Sequence, residues 1–394
     1  MTTNHLSKHL SDPQSICIFR LSAIGDVTHM VPVVKTLQHR FPSCKITWIV
    51  GVLEHKLLAG LPGVNFIVFN KSAGWKSIFA LKKALKGQKF EVLLQMQLSL
   101  RANLLSRLIS AKRRIGYDEQ RSKELHSWAV NERIPYVKDL HVLDGFMQFA
   151  EYLGCHEKIL DWHIPVAESD VLLARRIMNP DNMTQTIACS HEGAVDASID
   201  DVLQGKRNMH SVQQSAVHDT PDKTKVIISP CSSHTLRNWS VKNYAALCDH
   251  LVRSHNAQVL LCGSPAEKEK AFIHEIEQAC HEPVLNIAGQ DTLKQLLCLM
   301  QMVNLVVSPD SGPLHMAGSV GTPVIGLLAA SNYKRSGSYQ FPEFTVDAYP
   351  EACELFLNKT VDEVKWGTKT EFEGAMALIK LSDVTDKVDQ LLSS

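Results

Sequence analysis

The chain has 394 residues, with 41 Lys and Arg against 41 Asp and Glu, and 45% of it is hydrophobic. At roughly 100–200 residues per domain this length predicts two or three domains with real cores, and the composition excludes a mostly disordered chain. Net neutrality argues against a nucleic-acid binder, and no run approaches the ~18–20 apolar residues a membrane-spanning helix needs.

The opening stretch, 1–14, is polar and contains Asp12 and Pro13, so it does not read as a signal peptide and the chain is expected in the cytoplasm. Residues 16–19 read as a strand. From Asp26 onward apolar residues recur at Val27, Met30, Val31, Val34 and Leu37, the spacing of an amphipathic helix. Further strands are predicted at 46–50, 65–69 and 92–95. Such alternation implies parallel strands with helices on both faces.

Charge is unevenly distributed. The first 165 residues hold 22 Lys and Arg against 13 acids, leaving 19 against 28 for the remainder. Much of the excess lies in two tracts, one from Lys71 to Lys89 and one from Arg101 to Lys123. Each reads as a solvated helical face or as a surface for an anionic partner.

Residues 179–225 contain no Phe, Trp or Tyr and are rich in Ser, Asp, Gln and His. Such a segment buries too little to offset its ordering entropy, so it reads as a surface excursion. Its histidines (His191, His210, His218) read as part of that tract rather than as a metal site.

Past this excursion the α/β pattern restarts. Strands are predicted at 226–229, 258–262, 284–287, 304–307 and 324–327, with helices at 241–253, from 266, and at 292–302. The resulting division is a first domain over 1–178, a polar insertion over 179–225 and a second domain over 226–394. These are two Rossmann-like domains facing a central cleft, with the last helix expected to return to the first. Ten scattered cysteines form no CxxC pair and read as reduced thiols, which disfavours both disulfides and a zinc site.

Two loops join a strand to a helix N-terminus, at the sheet edge where ligands of α/β proteins bind. In Arg20-Leu21-Ser22-Ala23-Ile24-Gly25-Asp26-Val27, Asp26 either caps the helix or projects into the cleft as a general base. In Ser308-Pro309-Asp310-Ser311-Gly312-Pro313-Leu314-His315, the amides opening a helix would bind an anion such as a diphosphate. Neither a Walker loop nor GxGxxG occurs, which disfavours NAD. On the same edge of the second domain lie Ser232 and Ser233, the cation Arg237, and Glu267, which would suit a ribose. Together these describe a nucleotide site without a metal.

In Ser-Ala-Ile-Gly-Asp-Val followed by Pro32, and in Ser-Pro-Asp-Ser-Gly-Pro-Leu-His-Met-Ala-Gly, the chain resembles the ADP-heptose:lipopolysaccharide heptosyltransferases. These are inverting glycosyltransferases of GT-B fold. The resemblance runs from about residue 16 to 328, excluding the insertion, and residues 98–117 resemble the family's acceptor side. It implies Asp26 as catalytic base. It implies Asp310, His315 and the amides of Ser311 and Gly312 on the donor sugar and diphosphate. Ser232 and Ser233 would meet phosphates, Glu267 the ribose, and Arg237 stands where the family usually has Lys. The implied partners are an ADP-heptose donor, used without a metal cofactor, and an anionic glycolipid acceptor at the inner membrane. Arg101, Arg113 and Arg114 are the candidate acceptor contacts, and salt-sensitive peripheral attachment is the expected location.

Overall fold

The computed structural model describes residues 12–122, 125–179 and 223–393. The greater part of the predicted insertion, 180–222, lies outside the described residues, together with its three histidines. Two six-stranded sheets, each wholly parallel, form the framework.

The first sheet contains β1 (Ser15–Phe19), β2 (Lys45–Gly51), β3 (Val64–Phe69), β4 (Phe90–Gln95), β5 (Ala111–Gly116) and β6 (Glu132–Arg133), in the order β3-β2-β1-β4-β5-β6. The second contains β7 (Lys225–Ile228), β8 (Gln258–Leu261), β9 (Leu285–Asn286), β10 (Leu305–Pro309), β11 (Val324–Leu328) and β12 (Val346–Asp347), in the order β12-β11-β10-β7-β8-β9. In each sheet the chain winds outward on one side of its first strand and then crosses to the other. The crevice at that reversal is where open α/β sheets hold ligands, and here it lies beside the loops after β1 and β4, and after β7 and β10.

β1 shows how the sequence builds a two-faced layer. Ile16 and Ile18 pack into the cluster under helix α1 (Ile24–Arg40), while Cys17 and Phe19 pack into a cluster on the opposite face. The two-residue period of a strand sends neighbours to opposite sides, so a fully apolar run is needed where both faces are covered. The α1 stripe of Val27, Met30, Val31, Val34 and Leu37 is fully buried, as its spacing predicts.

Most predicted strands and helices appear within a few residues of their expected ends. β5 and the short β6 and β12 were not predicted; β5 reads Ala-Lys-Arg-Arg-Ile-Gly and lacks an apolar run. Nine described cysteines are free thiols, seven of them buried. The last helix, Leu381–Leu392, does not return to the first domain. Val384 and Val388 bury it in the second domain's own cluster, against helix Val241–His255. Instead, the helix that closes the first segment, Glu168–Met178, docks on Leu293–Gln301 of the second domain.

Candidate active site

The loop after β1 lies at the first sheet's reversal. Gln97, following β4, accepts from the amides of Leu21 (3.0 Å) and Ser22 (3.3 Å), tying the two crevice loops together. Asp26 sits in the first turn of α1, where its Oδ2 accepts from the Ala23 amide at 3.0 Å and from the Arg20 guanidinium. Capping and catalysis therefore need not compete. Both bonds fall on Oδ2, and Oδ1 carries none among the described residues. The side chain remains 27% exposed. Arg20, which sequence reasoning missed as a functional residue, is anchored by the Met96 carbonyl at 2.5 Å and lies 4.8 Å over the Phe146 ring. Nothing local marks it; its partner is six residues away across a turn.

Across the cleft, Asp310 follows β10 and is almost fully buried. Its Oδ2 accepts from Ser331 Oγ (2.7 Å), Lys369 Nζ (2.9 Å) and Arg237 (3.4 Å). Burial alone would push this carboxyl up, but Lys369, Arg237 and the Ser331 hydroxyl together hold it below its ordinary value. Lys369 is in turn lowered, by burial first, against the opposing pull of Asp310. Arg237 also grips Glu371, with Nε at 2.8 Å and a terminal nitrogen at 2.5 Å. Lys369, Glu371 and Ser331 escaped the sequence reading. The segment that carries Lys369 reaches the site through an antiparallel bridge between Ser331 and Lys369, a contact no local pattern announces.

Helix Gly312–Ser319 begins beside this cluster with Ser311 as its N-cap and a proline in its first turn. The Ser311 hydroxyl pairs with Ser308 at 2.8 Å and does not cap the helix, so no described side chain caps its first turn. The two loops then meet directly. A Cβ on Gly25 would collide with the His315 ring, and one on Gly312 would lie 2.9 Å from Ile24 Cγ2. Only glycine at both positions allows this approach. His315 Nδ1 lies 3.0 Å from His29 Nε2, and His141 packs edge-on against His29 at 5.2 Å between ring centroids. Burial depresses His315, while Asp310 and Asp26, one from each domain, pull it back upward. Arg335 adds a half-buried cation near Lys369 and His141, with no carboxylate partner among the described residues.

The remaining predicted residues separate into two groups. Ser232 Oγ donates to the Asp310 carbonyl at 2.8 Å, so it braces the site from within; Ser233 is exposed at its mouth. Glu267 opens helix Glu267–Ala279 in the connection after β8, exposed and paired with Lys270 at 2.9 Å. The acceptor-side arginines need correction. Arg114 is buried, donating to the carbonyls of Ala129, Ile109 and Ser106 at 2.7–2.8 Å. Arg113 forks onto Glu132 at 2.7 and 2.8 Å. Adjacent on β5, they point to opposite faces, and both are committed to structure. Arg101 alone stays exposed, donating to the Lys71 carbonyl at 3.1 Å.

Among the described residues, the group spaced to hold a metal ion is His250, His255 and Asp389. His255 ends its helix, which returns toward the sheet edge opposite the cleft, so this trio lies away from the cleft loops.

Glycosyltransferase family 9 (heptosyltransferase) matches residues 78–360. The lipopolysaccharide core heptosyltransferase OpsX of Haemophilus influenzae is 36% identical over 379 residues, covering 96% of this chain and 97% of that protein. Among solved structures, a family 9 glycosyl transferase from Veillonella parvula superposes with a TM-score of 0.71 at 18% identity, covering 97% of this chain and 99% of its own. The ADP-heptose lps heptosyltransferase II of Escherichia coli gives 0.63 at 16% identity, covering 96% and 98%. The two facing parallel sheets are those of a GT-B enzyme, and the chain belongs to glycosyltransferase family 9, the heptosyltransferases.

Proposed function

We propose that this protein transfers heptose from ADP-heptose to a lipopolysaccharide-core acceptor with inversion. One observation carries the reading: Asp26 Oδ1 has no hydrogen-bond partner among the described residues and stands opposite a helix N-terminus that no described side chain caps. In the reaction the acceptor hydroxyl oxygen attacks the anomeric carbon from the face opposite ADP, and its proton passes to Asp26 Oδ1. The bond between that carbon and the β-phosphate oxygen breaks as the new glycosidic bond forms, and ADP leaves with the electron pair. The charge growing on the diphosphate is met by the amides of Ser311 and Gly312 and by Arg335, with Arg237 and Lys369 behind them.

Arg20 is a positioning residue that holds Oδ2 and so aims Oδ1 into the cleft. Asp310 orders the cations on the donor side, and Glu267 and Ser233 are placed for the ribose and phosphates. No divalent metal enters the scheme. The acceptor is a glycolipid, so the protein works peripherally on the cytoplasmic face of the inner membrane; none of its described helices is long and apolar enough to cross a membrane.

The test is release of ADP from ADP-heptose with and without lipid A bearing Kdo, before and after chelator treatment, alongside other nucleotide sugars. Acceptor-dependent release from ADP-heptose that survives chelation is expected. Preference for a different sugar nucleotide, or loss of turnover on chelation, contradicts the corresponding part of the reading.

A further inference from the structure

The first sheet has one face turned to α1 and the second domain, and another covered by two helices, the second of which also packs on helix His126–Ala129. Helix Trp75–Ala84 inserts Leu81, with Leu85 just after it, and helix Leu100–Ser106 inserts Ala102 and Leu105, all into the cluster built on Cys17, Phe19 and Leu93. Their outer sides are unusual. Trp75 is 78% exposed and Phe79, one turn on, 68%. Leu104 and Leu108 are exposed on the neighbouring helix and just beyond it, and Trp128 stands out beside them with the Arg107 guanidinium 4.8 Å from its ring. Arg101 of the second helix donates to the carbonyl of Lys71, ahead of the first helix, and covers the Phe69 ring at the end of β3.

We infer that this outer face is the surface by which the protein docks on an anionic lipid bilayer. Large apolar side chains standing outward in a soluble domain mark an interaction site, and Trp and Phe beside lysines are the composition of an in-plane membrane helix. Charge chooses the partner. Between residues 71 and 112 the chain carries nine Lys and Arg against one acid, Glu91. Lys76, Lys82, Lys83, Lys86 and Lys89 are all exposed around the aromatic pair. A surface of anionic headgroups satisfies that ring of cations while the aromatic tips enter the acyl boundary.

Docking in this way also positions the chemistry. Lys71, immediately before the first of these helices, donates to Ser22 Oγ in the loop that carries Asp26. The catalytic loop thus borders the docked face, within reach of a sugar rising from the bilayer. This use rests on the glycolipid-acceptor reading, whereas vesicle binding without donor or acceptor tests the surface alone.

The experiment is co-flotation of the full chain with phosphatidylcholine vesicles, with and without phosphatidylglycerol, and with brominated acyl chains to quench tryptophan. The protein is expected to bind the anionic vesicles, with quenching that falls clearly in Trp75→Phe and largely disappears when Trp128→Phe is added. The double variant Trp75→Ala/Phe79→Ala should partition at least ~10-fold more weakly, and Lys82→Glu/Lys83→Glu should do likewise at low salt. Circular dichroism of both variants should match the parent, since all four side chains are exposed. No binding to anionic vesicles, unchanged partition of both variants, or quenching indifferent to Trp75→Phe would overturn the assignment.

Discussion

At the residue scale, the informative contrast is between Asp26 and Arg114. Both were legible in the sequence as charged residues on a suggestive segment. Asp26 keeps Oδ1 unengaged among the described residues because its capping bond and its Arg20 contact share Oδ2. Arg114 keeps nothing, because the strand period turns it inward onto three carbonyls. Truncating it removes three buried hydrogen bonds; the Ser106 carbonyl keeps the Ile109 amide, but those of Ala129 and Ile109 lose their side-chain donor. Arg114→Ala is therefore expected to lower unfolding free energy by about 3 kcal/mol, measured by denaturant titration. Acceptor KM of the folded fraction should stay unchanged, and a raised KM without loss of stability would restore Arg114 to the acceptor site.

At the element scale, the sequence exposes what is local and conceals what is brought from afar. The strand–loop–helix units around Asp26 and Asp310 are readable because the turn, the cap and the first helical turn are consecutive. β5 is not, since Lys112, Arg113 and Arg114 break the apolar signature of a buried strand; Lys112 points to solvent, Arg113 is met by Glu132, and the buried Arg114 by the carbonyls around it. Lys369 and Glu371 are likewise invisible. They lie some sixty residues past Asp310 and arrive through the bridge to Ser331. Lys369 shares Asp310 with Arg237, so its removal unbalances the donor side as a unit. Lys369→Ala is expected to weaken ADP binding at least ~10-fold by calorimetry. Unaltered ADP affinity would make Lys369 a purely structural partner.

At the scale of the whole molecule, one apolar cluster runs from the first domain's core through α1 into helices 293–301 and 312–319 of the second. Polar contacts pin the same interface: Lys294 donates to the carbonyls of Ala59 (2.7 Å) and Pro165 (2.8 Å), and Trp366 to Leu140 (2.9 Å). His29, His141 and His315 meet inside it. Burial, with the neighbouring rings, holds His29 well below its ordinary 6.5, and burial brings His141 to about 4 despite its bond to the Gly337 carbonyl. Asp144 pulls His141 upward and Arg335 pushes it down. In the unfolded chain these rings take protons near 6.5, so the folded state is favoured above that pH and loses the advantage as pH falls toward 4. Thermal denaturation should show Tm dropping across this window, and His29→Gln should flatten the drop. A Tm independent of pH there would mean the rings are not held neutral.

The central claim is that a single carboxylate at the opening turn of α1 accepts the acceptor's proton while the second domain holds the donor. Its most direct measurement pairs turnover with ADP-heptose affinity for Asp26→Asn, which keeps the shape of the side chain. We expect kcat to fall by at least ~10²-fold while donor Kd stays within about threefold of the parent. Turnover near that of the parent enzyme, or a donor Kd weakened in step with kcat, would contradict it.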